Sequence, residues 1–289
     1  MRTWSITMVL ALAACTPIPL PPPALPYDLN KFYSAAEAQI RASGGMRTDY
    51  APVDAPFTKA DLARNFMRIA LYDEYQTVDG RYVASESPSN LRRFDQPVIV
   101  DVVNGASTPT AIAEQNLTLV AQYTRRLAGI TGYDIRLATE AERANMVVFF
   151  LSREEQPTMS RQLGRYVGAV PFEVQDVFAN SSNDLLCGAF SLSQRRNPDS
   201  YRSSVILIKS EHSAAQRAAC VHEEMAQALG LTNDSRAARP SIFNDDEEFA
   251  RLTRHDELLL RILYDPRLHS GLSAAEVGPL LPAIINDIW

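Results

Sequence analysis

Histidine, cysteine and tryptophan are all scarce in this chain of 289 residues, which has four, three and two of them. Three cysteines exclude a disulfide-dense miniprotein. There is no excess of basic residues either: 28 Lys and Arg stand against 34 Asp and Glu, a net charge of −6. A chain with that balance lacks the cations that neutralise phosphates, so nucleic acid is not its expected partner. No internal apolar run approaches the roughly 20 residues that a membrane-spanning helix needs. What is present is a 46% apolar fraction. That suffices for a packed core and excludes wholesale disorder. The length allows one large domain or two small ones.

The N-terminus reads as an address. Arg2 precedes a short apolar run, Ile6 to Leu12, which ends at Leu12-Ala13-Ala14-Cys15. This resembles the bacterial lipoprotein signal, in which cleavage falls directly before a cysteine that is then lipidated. The resemblance implies export, removal of residues 1–14, and a lipid anchor on Cys15 at a membrane facing the periplasm. Thr16, standing where Asp would signal retention, favours the outer membrane. A plain secretory signal cut at the same alanines is the alternative. Residues 16–26 then alternate proline with small and apolar residues. Proline fixes φ and removes backbone donors, so this stretch reads as an extended tether. Residues 15–56 are thus a lipid-attached linker and partly ordered lead-in, and residues 57–289 are the folded domain.

Within that domain Thr58 and Asp61 have the spacing of a helix N-cap, followed by Leu62, Phe66, Ile69 and Ala70 at helical period. Strands are expected at 97–103, 134–138, 146–151 and 204–208. Helices are expected at 109–128, 214–229, 256–264 and 273–288. Gly230 sits where a helix C-terminus wants it. With strands leading and helices following, the economical fold class is one α+β domain with a mixed sheet.

The informative stretch is Cys220 to Asp234, CVHEEMAQALGLTND. A zincin protease needs two histidines one helical turn apart, with a glutamate beside the first to activate water. With His222 as first ligand, Ala226 falls at the second ligand position, and alanine binds no metal. With Glu223 at the first position, Glu224 is the general base, Gln227 the second ligand, Gly230 the turn glycine and Asn233 the third ligand. Every spacing of the longer metzincin pattern then fits. Ser241-Ile242-Phe243 stands where matrixins carry their Met-turn, with Phe243 in place of methionine, and Leu252 to Tyr264 matches the spacing of their C-terminal helix. The chain therefore resembles a degenerate zincin of the metzincin, matrixin-like kind. More closely, the run E-E-x-x-Q-x-L-G-L-x-N-D is similar to the secreted bacterial domain of unknown function numbered 2927.

All three ligand histidines are missing. Glu223, Gln227 and Asn233, with Asp234 as substitute for Asn233, offer only oxygen, which suits hard cations better than zinc. Two readings of the set remain: a polar network that replaces the metal, or a divalent cation held by Glu223, Gln227 and Asn233. His212, His255 and His269 have no ligand spacing to one another. Cys187 and Cys220 remain once Cys15 is lipidated, and an oxidising compartment favours a disulfide between them. The alternative, a cysteine nucleophile, lacks a well-placed histidine.

Besides a purely structural envelope protein whose motif only maintains packing, two functions follow. One is an envelope lipoprotein that binds a peptide or protein partner in the old substrate cleft without catalysis. The other is an active metal-dependent hydrolase with Glu224 as general base.

Overall fold

A computed structural model describes residues 28–78, 81–244 and 247–289. The signal and tether expected over residues 1–26, Cys15 included, lie outside the described residues. In chain order the elements are α1 (Leu29–Ala42), α2 (Lys59–Ala70), the hairpin β1 (Tyr72–Val78) and β2 (Arg81–Pro88), β3 (Arg93–Phe94) and β4 (Val98–Asn104). Then come α3 (Thr110–Thr131), β5 (Ile135–Leu137), β6 (Met146–Leu151) and three short helices, α4 (Gln156–Ser160), α5 (Leu163–Val167) and α6 (Phe172–Asn180). Last are β7 (Cys187–Ser193), β8 (Ser200–Lys209), α7 (Ala214–Leu229), α8 (Arg254–Leu263), α9 (Ala274–Val277) and α10 (Leu281–Ile288).

The main sheet runs β3-β8-β6-β4-β5, all parallel, and β7 pairs antiparallel with β8 on the edge. Both faces are covered, so the central strands are apolar at every position: all six residues of β6 are buried. Val148, Phe150, Ile206 and Ile208 face the larger core, which α2, α3, α7, α8 and α10 complete. Val147, Phe149, Val205 and Leu207 face the smaller one, closed by Leu163, Val167, Val174 and Phe178 from α5 and α6. The protein is thus a single mixed α+β domain. No helix among the described residues is long and apolar enough to cross a membrane.

The expected helices and buried strands are present, with the Thr58–Asp61 capping box formed at α2. The structure differs in three places. Helices and strands interleave rather than strands leading. The hairpin β1–β2, the helices α4 to α6 and the edge strand β7 carry too little apolar periodicity to stand out. Residues 28–56, expected as a partly ordered lead-in, hold α1 and pack on the domain. Tyr33 of α1 is buried, accepts a hydrogen bond from Lys209 Nζ at 3.0 Å and meets the His212 ring at 4.3 Å. Met46 and Arg47 donate backbone hydrogen bonds to the carbonyls of Glu247 and Glu248.

That docking buries His212 to 3% exposure. Its Nε2 donates to the Leu186 carbonyl at 2.8 Å. Burial pushes the imidazole down to about 4, with Lys209 and Arg217 adding to the depression. The unfolded chain therefore takes up this proton first, and the stabilisation present above pH 6.5 is lost as pH falls toward 4. Acid titration of unfolding free energy should show the wild type losing up to about 3 kcal/mol more than His212→Gln across that window. Parallel curves for the two proteins would contradict this.

Candidate functional site

The site is built on α7. Ser213 caps its start by accepting from Gln216 N–H. Its end is Gly230, whose φ of 131° suits glycine and where a Cβ would lie 2.1 Å from the Arg92 carbonyl oxygen. Gly230 thus lets α7 stop against the segment leading into β3. Met225, Ala226, Ala228 and Leu229 bury one side of the helix in the core. Gln216, Glu223, Glu224 and Gln227 line a cleft of about 630 Å³. His222 does not line the cleft. Its ring stacks on Tyr123 at 4.1 Å, its Nδ1 accepts from Leu252 N–H at 3.1 Å, and burial pushes it down to about 3.

Glu224 is 5% exposed. The Ala189 N–H of β7 holds the Glu224 carboxyl down slightly against that burial, and among the described residues Oε2 has no hydrogen-bond partner. Glu223 is half-buried, with a carboxylate oxygen within 4.8 Å of one on Glu224. Burial drives both carboxyl groups well above the usual carboxylate range. The charges of Asp234 and Glu74, and that of Glu224 on Glu223, push the same way. Gln227 Nε2 reaches Asp234 Oδ1 at 3.4 Å, so these two share the floor with the glutamates.

Asn233 does not join them. It is buried on the other side, where its Nδ2 donates to the Arg68 carbonyl at 3.1 Å and to Glu86 Oε1 at 2.8 Å, while its N–H donates to the Ile69 carbonyl. The expected trio of Glu223, Gln227 and Asn233 is therefore corrected. After Gly230 the chain turns Asn233 onto α2 and β2, and Asp234, the next residue, is the one that faces the cleft. Asn233 serves as a brace that ties the hairpin to α2.

Ser241, Ile242 and Phe243 form a turn beneath the site. Asp256, fully buried, accepts from Ser241 Oγ at 2.5 Å, Ile242 N–H at 3.1 Å, and Thr253 N–H and Oγ1, both at 2.9 Å. Ile242 and Glu223 line one small cavity, so this clamp fixes the wall behind the glutamate. In the sequence Asp256 is legible only as the start of the expected helix at 256–264. Cys187 and Cys220 are joined in a disulfide with Cα atoms 5.9 Å apart, which staples the start of β7 to α7 and rules out a free nucleophile at either position.

Carboxylates dominate the cleft. Asp73, Glu74, Asp176 and Asp184 stand on its walls and Glu223, Glu224, Asp234 and Glu247 on its floor, against the guanidinium of Arg92, which is ion-paired to Asp73. The wall residues escaped the sequence reading because each lies in a segment without a motif. One flank of the cleft is β7 itself, Cys187 to Ser191. Among the described residues no strand pairs with the outer edge of β7.

Fold and site together define a mixed α+β domain with an acidic cleft between an edge strand and a carboxylate-bearing helix. The chain belongs to the family described as "Protein of unknown function (DUF2927)", whose profile matches residues 59–283. Comparison with curated proteins and with solved structures gives no match.

Proposed function

We propose that this protein is an envelope lipoprotein that holds an extended, basic peptide segment of a partner in a degenerate zincin-like cleft, without catalysis. The observation that carries the binding reading is the outer edge of β7, with which no strand among the described residues pairs, in the cleft that Glu223 and Glu224 also line. An extended peptide adds to such an edge through main-chain hydrogen bonds, while the walls select its side chains. Walls rich in carboxylate select Lys and Arg. The zincin kinship is supported by the helix following a strand of the sheet, the turn at Ser241–Phe243 and the glycine at the helix end. Loss of catalysis is supported by Asn233, which is spent on Arg68 and Glu86 rather than offered to a metal. Export and the anchor on Cys15 rest on the N-terminal signal.

A second reading, hydrolysis with Glu224 as general base, is favoured by the burial of that carboxylate and its unpartnered Oε2. One experiment separates the two. A fluorescent Lys/Arg-rich peptide of about ten residues should bind, with affinity falling steeply in high salt, and an acidic peptide of equal length should not. Mass spectrometry should recover the bound peptide intact. Cleavage abolished in Glu224→Gln would establish the hydrolase instead, and equal binding of both peptides would remove the acidic walls from any role.

A further inference from the structure

The carboxyl ends of the parallel strands border a second crevice. From β4 the chain leaves through α3 to β5 on one side and then crosses to β6 on the other, so the strand order reverses between β4 and β6. In open α/β sheets, ligands bind outside the carboxyl ends of the strands at such a reversal. Here an open crevice of about 800 Å³ occupies that place. Its walls include the segments that follow three strands: residues 107–109 after β4, 152–154 after β6, and 210 and 211 after β8. It shares no lining residue with the cleft between β7 and α7.

Arg217 of α7 brings a positive charge to this crevice. The residue is 7% exposed and lines it. Its Nε donates to Asn116 Oδ1 at 3.1 Å and its Nη1 to the His212 carbonyl at 2.6 Å. Asn116 is itself held, its Nδ2 donating to Asn104 Oδ1 at 2.8 Å. These partners fix the guanidinium but are neutral. Among the described residues Nη2 has no acceptor and the side chain has no ion pair. Burial alone lowers its basicity, with no carboxylate near enough to oppose it. The carboxylates lining the crevice are engaged elsewhere or solvated: Asp28 pairs with Lys31, Glu211 accepts from Arg153 N–H, and Glu154 is exposed. A buried guanidinium is costly unless a counter-ion meets it. The first turn of α3, which no side chain caps, borders the same crevice and adds the positive end of its dipole. Glu155 accepts from Ser107 N–H just before that turn, so the unmatched charge is that of Arg217.

We infer that this crevice binds the carboxylate of a small organic acid, which accepts hydrogen bonds from the Arg217 guanidinium. A single carboxylate supplies the missing counter-ion and the missing acceptor together. A phosphate dianion fits less well, because Asp28, Glu154 and Glu211 line the same crevice and repel a second charge. The inference goes beyond the peptide reading and uses none of its residues, so either stands if the other fails.

The test uses the full chain with its disulfide intact and no peptide present, at constant ionic strength balanced with chloride. Acetate and gluconate are the probes, beside inorganic phosphate. At least one of the two acids should raise the melting temperature to saturation, with a dissociation constant of about 0.1–10 mM, and phosphate should bind at least about tenfold more weakly. Arg217→Gln should abolish the shift. Arg217→Lys, which lacks the planar fork, should weaken binding at least about fivefold, while Arg92→Gln in the other cleft should stay within about twofold. Absence of a shift with either acid up to about 50 mM would overturn the inference. So would an unchanged shift in Arg217→Gln, or phosphate binding as tightly as the acids. Should Arg217→Gln fail to fold, Ser107→Trp takes its place, because it puts a large ring on an exposed wall of the crevice. Loss of the shift in that variant supports the site, and an unchanged shift contradicts it.

Discussion

Asp256→Ala should cost about 3–5 kcal/mol of unfolding free energy, one of the two largest single effects expected in this molecule. The carboxylate is fully buried and accepts from Ser241 Oγ, Ile242 N–H, Thr253 N–H and Thr253 Oγ1. Alanine removes the acceptor from Ser241 Oγ, Ile242 N–H and Thr253 N–H, while Thr253 Oγ1 keeps only the Pro240 carbonyl. It also removes the capping box of α8 and the restraint on the turn at Ser241–Phe243. Phe243 is fully buried, so the turn cannot relax outward without exposing it. Asp256→Asn keeps one acceptor oxygen and should lose less than the alanine variant. Denaturant unfolding with a constant slope measures both. A loss below about 1 kcal/mol for the alanine variant would show that the turn is held by packing alone.

Removing the disulfide should cost a similar amount for a different reason. Cys187 and Cys220 are 33 residues apart in sequence, and closing a loop of that size restricts the unfolded chain by about 3–4 kcal/mol in the entropic model. The bond also has a local duty. It ties the first residue of β7 to α7, the two elements between which the cleft opens. Reduction should therefore lower the melting temperature and weaken peptide binding together. A Cys187→Ser, Cys220→Ser double variant should reproduce both losses. Stability unchanged by reductant, in protein shown by thiol titration to be reduced, would contradict this.

Much of the fold was legible because its central elements are one-sided or wholly apolar. The run Met146 to Leu151 is buried at every position, as a doubly covered parallel strand must be. Thr58–Asp61 marked the start of α2 and Gly230 the end of α7. Strand β7, Cys-Gly-Ala-Phe-Ser-Leu-Ser, was not legible: among the described residues no strand pairs with its outer edge, and its small and polar residues make no apolar run. The lead-in was misjudged because α1 buries little beyond Tyr33. At the site, Glu223, Glu224 and Gln227 could be placed on one helix from spacing alone. Asn233 could not, because beyond Gly230 the side-chain directions follow the contacts of α2 and β2 rather than helical period. A shift of one residue gave the cleft Asp234 instead. Glu74 reaches the site only through tertiary folding, with no local pattern to announce it; Glu247 stands in the acidic run 245–248, which the sequence shows without showing that it meets α7.

The central claim is that the cleft between β7 and α7 takes an extended peptide as an added strand. Hydrogen exchange with and without a saturating basic peptide tests it most directly. The account expects new protection concentrated in residues 187–193, with Glu224→Lys abolishing it. Protection that leaves β7 untouched while peptide is bound would contradict the claim.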